Sequence, residues 1–179
     1  MQVDENHRLS GCNWSPSNHF DNRPFSQDIE LIVLHCISLP EGQFGHGYPE
    51  QLFLGTLKIE DDPSFLDLEG LRVAPHLYID RKGIVTQFVS LDRRAWHAGV
   101  SSWRGRPNCN DFSIGIELEG CVDAIFEEAQ YESLKNTLSA LFLRYDRLSW
   151  ESVVGHNEIA PNRKTDPGET FEWVRVYKL

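Results

Sequence analysis

The chain has 179 residues, 40% of them hydrophobic and 25% charged, enough for one domain with a substantial core. Acidic side chains outnumber basic ones 27 to 17, for a formal charge of −10, which excludes binding to nucleic acid or anionic membranes by bulk charge. No apolar run approaches the roughly 20 residues of a membrane-spanning helix.

No internal repeat, low-complexity tract or linker interrupts the chain, so residues 1–179 read as a single domain. The polar Met1–Ser10 stretch lacks the basic-then-apolar layout of a signal peptide, and a cytoplasmic setting is expected. Cys12, Cys36, Cys109 and Cys121 form no Cys-x-x-Cys pair. In a reducing compartment they read as free thiols behaving as small hydrophobes.

Residues 1–28 are polar and irregular, with Trp14, Pro16, Phe20, Pro24 and Phe25 as expected anchors onto the core. Ile29–Cys36 is the clearest strand. Its continuous apolar run predicts a central position covered on both faces, and it carries His35 near its C-terminal end, where α/β sheets commonly place ligands. Residues 37–70 are rich in loops and glycine, with one short helix expected near Glu50–Leu54. So long a segment in a compact domain is usually functional or mobile. Ala74–Ile79 and Ile84–Val89 flank Asp80-Arg81-Lys82-Gly83 and predict a hairpin. Ala95–Gly99 reads as a loop.

Phe112–Glu119 is another strand. Alternation sends Ile114, Ile116 and Leu118 to one face and Ser113, Gly115, Glu117 and Glu119 to the other, with Gly115 leaving space beside Glu117. Glu127–Tyr145 is the strongest helix. Tyr131, Leu134, Leu138, Leu141, Phe142 and Tyr145 make its apolar stripe, and Glu127 stands where a better capping residue is wanted. Thr170–Tyr177 is a short terminal helix with Phe171, Trp173 and Val174 inward. The sum is a mixed sheet with helices packed on it.

Between these last helices lies Gly155–Gly168, a loop leaving the short apolar pair Val153–Val154 and stiffened by Pro161 and Pro167. It offers an imidazole (His156), an ammonium (Lys164) and a carboxylate (Asp166). Histidine with aspartate suits zinc, but a catalytic site needs a third protein ligand and an open position. Of the seven histidines, His7, His19 and His46 lie in polar stretches and are expected at the surface. His35, His76 and His97 follow strand-like or aromatic context, and each is a candidate third ligand or a satisfied core imidazole.

Taken together, Leu31–His35, Arg72–His76 with the Asp-Arg-Lys-Gly turn, Arg93–Gly99, Asn110–Gly120 and Gly155–Gly168 resemble the zinc amidase family that contains phage T7 lysozyme and the peptidoglycan recognition proteins. The likeness is to its cytoplasmic N-acetylmuramoyl-L-alanine amidases and runs in order over nearly the whole chain. It implies an α/β (α+β) fold, a central mixed β-sheet flanked by helices, and Zn2+ held by His35, His156 and Asp166. It implies Glu117 as general base, with Glu119 on the same face as runner-up, and Lys164 as the oxyanion partner. Arg72, Trp96 and His97 take substrate-cleft positions, where Arg72 suits a peptide carboxylate and Trp96 a sugar face.

The implied reaction cuts the amide between the lactyl group of 1,6-anhydro-N-acetylmuramic acid and L-alanine, in recycling of cell-wall muropeptides. The partner is that small molecule, with no nucleic acid, membrane or obligate protein partner. An amidase on intact peptidoglycan and a non-catalytic muropeptide-binding module are the alternatives. Two positions depart from the family pattern: Cys36 replaces an Asn after the first ligand, and Asn108 replaces an Arg, which removes a fixed cation.

Overall fold

The computed structural model describes residues 1–25 and 28–177; Ser26 and Gln27 of the N-terminal segment lie outside them. Ten short strands are present among the described residues: β1 Asn13–Trp14, β2 Phe20–Asn22, β3 Leu31–Ile37, β4 Leu77–Ile79, β5 Val85–Gln87, β6 Arg93–Ala95, β7 Ser102–Trp103, β8 Arg106–Pro107, β9 Ser113–Glu119 and β10 Val153–Gly155. The α-helices are α1 Tyr48–Leu54, α2 Glu128–Arg144, α3 His156–Ile159 and α4 Trp173–Tyr177. The main sheet has six strands in the order β1-β5-β4-β9-β3-β10. β4, β9, β3 and β10 run parallel, and β5 is antiparallel to β4. The sheet is therefore mixed, with helices flanking it, as expected. Among the described residues no helix is long and apolar enough to cross a membrane.

β3 is an internal strand, next to the edge strand β10 and flanked on its other side by β9, and its first five residues are buried. It begins and ends slightly later than the apolar run predicts. The side chains of β3, β4 and β9 divide by alternation. Ile32, Leu34, Leu77, Ile79, Ile114, Ile116 and Leu118 face α2, where they pack with Tyr131, Leu134, Leu138 and Leu141. α2 matches its predicted span to within a residue at each end. The weak cap at Glu127 is compensated by Gln130, whose side-chain oxygen accepts the Glu127 N–H at 3.0 Å. The Gln130 amide also donates to the backbone carbonyls of Glu119 (3.0 Å) and Ile79 (3.3 Å), fastening the helix to the sheet.

The predicted hairpin forms as β4 and β5. Asp80 accepts the N–H groups of Lys82 and Ile84 across the turn, and Gly83 supplies the positive φ of 77°. Residues 37–70 hold more regular structure than the one expected helix: α1 is followed by 3₁₀ turns at Ile59–Asp61 and Pro63–Leu68. Arg93–Ala95, at the edge of the expected loop, is a strand paired with β2.

Two expectations need correction. Of the expected anchors of the N-terminal segment, Phe20 packs on the core, but Trp14 and Phe25 are exposed, as are Pro16 and Pro24. Leu9, Ser17, His19 and Arg23 are buried instead, and β1 and β2 pair with β5 and β6. Polar side chains hold the segment through backbone partners on other elements; Ser17, for example, donates to the Phe53 carbonyl. In the terminal helix Val174 is 52% exposed and Val176 is fully buried. The helix starts at Trp173, three residues later than expected, and this rotates Val176 onto the α2 side of the core.

Candidate metal centre and its cleft

The face of the sheet opposite α2 carries the candidate site. In the parallel β3–β9 register His35 lies directly beside Glu117, and Gly155 of β10 lies beside Leu34, which sets His156 next to His35. Three strand ends thus deliver three functional side chains to one place. Asp166 is returned to them by the loop: the Asn157 N–H donates to the Asp166 carbonyl at 3.0 Å, closing the excursion that α3 begins.

His35 Nδ1 lies 2.9 Å from His156 Nδ1 and 3.2 Å from Asp166 Oδ2, and His156 Nδ1 lies 3.0 Å from the same oxygen. The histidines are almost wholly buried. His156 Nε2 is 3.0 Å from the Ala98 carbonyl, an acceptor, so the neutral ring carries its proton there and turns the Nδ1 lone pair to the cluster. A tetrahedral zinc with bonds of about 2.0–2.1 Å holds its ligand atoms about 3.3 Å apart. The three donor atoms make a triangle close to that size, and their chemistry suits the ion. Burial pushes the His35 pKa down to about 4, keeping the ring neutral as a ligand must be. Burial raises the Asp166 pKa, but close contact with the His156 and His35 rings outweighs it and holds the carboxyl well below its usual range.

The triangle forms part of a cavity of about 240 Å³ whose lining also includes Glu117, Lys164, Trp96, His97 and Cys36. Glu117 Oε2 is buried without a hydrogen-bond partner. Burial, and then the nearby Asp166 charge, push its pKa well above the ordinary carboxylate value, with Lys164 acting in the opposite sense. Glu119 differs. Its carboxylate accepts the N–H groups of Gly45 (2.5 Å) and Arg81 (3.0 Å), so it ties two loops together. Lys164 is exposed at the cavity wall. The Arg72 guanidinium lies 5.0 Å over the Trp96 ring, whose other aromatic neighbour is the stacked ring of His19. His19, expected at the surface, is therefore buried, with Nδ1 bonded to the Val73 carbonyl.

His97 packs on the sheet face over β3 and β9. Its Nδ1 is 2.9 Å from His35 Nε2 and its Nε2 is 3.1 Å from Ser113 Oγ. The ring occupies the space beside Gly115, where an added Cβ would come within 2.4 Å of it. The room left by that glycine thus serves His97 rather than Glu117. His76 accepts the Gly115 N–H on Nδ1 and sits beside Arg23. Arg23 is buried and donates to the carbonyls of Leu91, Asn110, Asp111 and Ser113. Sequence reading missed Arg23, Asn110 and Ser113. The last two lie inside a recognised motif, whereas a lone Arg in a polar segment carries no signal of burial.

The N-acetylmuramoyl-L-alanine amidase family model matches residues 25–169. The 1,6-anhydro-N-acetylmuramyl-L-alanine amidase AmpD of Haemophilus influenzae is 47% identical over 167 residues, covering 93% of this chain and 91% of that protein. A crystal structure of an AmpD selenomethionine derivative superposes with a TM-score of 0.95 at 45% identity, over 98% of this chain and 97% of that one. The Escherichia coli amidase AmiD, solved with anhydro-N-acetylmuramic acid-L-Ala-D-γ-Glu-L-Lys, gives a TM-score of 0.61 at 28% identity, over 94% of this chain and 59% of that one. The match over most of the chain, at this level of identity and on one fold, means that the chain belongs to the N-acetylmuramoyl-L-alanine amidase family, on its AmpD-like side.

Proposed function

We propose that residues 1–179 act as a single zinc-dependent amidase domain that hydrolyses the lactyl–L-alanine amide of 1,6-anhydro-N-acetylmuramyl peptides. The observation that carries the reading is the convergence of His35, His156 and Asp166, their donor atoms 2.9–3.2 Å apart, beside the unpartnered Glu117 carboxylate in one cavity. The substrate class follows from the AmpD relatives and from the muropeptide bound by AmiD.

His35, His156 and Asp166 would hold the zinc, which when bound supplies a Lewis acid and lowers the pKa of water towards about 7. Glu117 takes the proton from the attacking water and returns it to the leaving amine. Its buried, unpartnered oxygen suits a group that must change protonation state during turnover. Lys164 places an ammonium at the cavity wall, where it stabilises the negative charge developing on the attacked carbonyl oxygen. Trp96 and Arg72 stand together as a flat apolar wall with a cationic edge, suited to a sugar face and a carboxylate. The proposed setting is the cytoplasm, in muropeptide recycling. The four unpaired cysteines fit a reducing compartment.

The test pairs metal analysis of purified protein with release of L-alanyl peptide from anhydro-muropeptide and from intact sacculi. About one zinc per chain, chelator-sensitive turnover and preference for the soluble fragment are expected. Equal or faster release from sacculi points to an enzyme of the intact wall. Tight muropeptide binding without turnover in zinc-replete buffer points to a binding module. Undiminished turnover by metal-free protein overturns the mechanism.

A further inference from the structure

Both histidines of the triangle are held from behind by one dipeptide. His35 Nε2 meets the His97 side chain at 2.9 Å, and His156 Nε2 meets the Ala98 backbone carbonyl at 3.0 Å. The dipeptide is itself held by one side chain, because Asn110 Oδ1 accepts the N–H of His97 (3.2 Å) and of Ala98 (2.8 Å). Arg23 donates to the Asn110 carbonyl and Arg163 to the Ala98 carbonyl, so the support is cross-braced.

We propose that His97 and Ala98 are positioning groups that fix the tautomer and aim of both histidine ligands, with Asn110 as the clamp that holds them in register; this rests on the zinc site proposed for His35, His156 and Asp166. The protons can be followed atom by atom. Here it is Nδ1 of each histidine that points into the triangle, so a neutral ligand ring carries its proton on Nε2. His35 Nε2–H then donates to His97 Nδ1, His97 carries its own proton on Nε2, and that proton goes to Ser113 Oγ. His156 Nε2–H donates to the Ala98 carbonyl. Each ring is thereby held in the one tautomer that presents Nδ1 to the triangle.

Both His97 ring nitrogens are used in this chain, which leaves none to bind substrate. Gly115 admits the ring: a Cβ there would fall 2.4 Å from His97 Cγ and 2.5 Å from Nδ1. The position is thus reserved for an imidazole packed on the sheet face over the two paired strands that carry His35 and Glu117.

The experiment measures zinc affinity by competition with a chromogenic chelator for the full chain and for His97→Phe, Asn110→Ala, Asn110→Asp and His35→Ala. Melting of each metal-free protein and KM at saturating zinc are recorded alongside. His97→Phe and Asn110→Ala should weaken zinc binding by about 10- to 100-fold, the range for lost outer partners of a metal ligand. Metal-free melting and KM should move little by comparison. Asn110→Asp keeps the acceptor oxygen and should recover most of the affinity. In the zinc-loaded natural protein, the imidazole nitrogen resonances should report Nε2–H on His35, His97 and His156.

A raised KM with unchanged zinc affinity in His97→Phe would make His97 a substrate contact and overturn the proposal. So would a proton found on His97 Nδ1, a measurement that needs no variant to fold. If His35→Ala binds zinc as the natural protein does, the zinc site itself has failed, an outcome separable from failure of the positioning role.

Discussion

The two faces of the central sheet are both buried, yet they are built by different physics. Towards α2 the sheet presents Ile32, Leu34, Ile114, Ile116 and Leu118, and the helix answers with Leu134, Leu138 and Leu141. These contacts are non-directional, so volume and sidedness suffice to specify them. The opposite face buries His35, His76, Ser113 and Arg23 near a few apolar residues, with His97 partly buried beside them. There every polar atom needs a partner at a defined distance and angle, because an unpaired one costs about 1–3 kcal/mol. Among the described residues of this face Arg23 Nε and Glu117 Oε2 go without, and the Glu117 oxygen is the one that belongs to the cavity. One face stores stability and the other spends part of it on placing reactive groups.

Substitutions on the two faces should therefore separate stability from activity. The largest effect is expected for Asp166→Ala. It removes one corner of the triangle, so zinc affinity and turnover should fall together while metal-free melting stays close to that of the natural protein. Retained stoichiometric zinc would move the ligand set elsewhere.

Glu117→Gln keeps the shape and removes the proton acceptor. Turnover should drop by roughly 10²- to 10⁴-fold with zinc content unchanged. If it instead loses zinc as Asp166→Ala does, Glu117 is a ligand. Near-normal turnover would leave the proton without its proposed acceptor, and Glu119 would be examined next despite its ties to Gly45 and Arg81.

On the other face, Leu138→Ala opens a cavity in the α2 core. It should cost about 2–5 kcal/mol of unfolding free energy in denaturant titration, with specific activity per folded molecule preserved. A large loss of turnover at full folding would break the division between the faces.

The smallest effect is a pH dependence. Burial, then the adjacent Arg23 charge, hold the His76 pKa well below its ordinary 6.5. The unfolded chain takes up a proton as pH falls through about 6.5 and the folded chain does not, so the unfolded state binds more protons and stability declines. The slope from this residue is at most about 1.4 kcal/mol per pH unit. His76→Gln should flatten the decline between pH 6.5 and 5, read from denaturant midpoints of metal-free protein. An unchanged slope would assign it to other groups.

The elements that could be read from the chain are those whose partners share a period. The alternation in β9 and the three-or-four spacing in α2 predicted the inward side chains of both, because sidedness is local geometry and apolar packing needs little else. The residues that meet at the candidate centre were readable for another reason: His35, Glu117, His156, Lys164 and Asp166 each sit in a motif of the family. The tertiary structure alone decided that Arg23 and His19 are buried, that Val176 rather than Val174 turns inward, and that Gly115 makes room for His97. A buried polar group is stabilised by particular acceptors far away in sequence, as Arg23 is by carbonyls 68 to 90 residues distant. No periodicity records such a partner. It exists only once β3, β9 and the loop through His97 and Ala98 have been brought together.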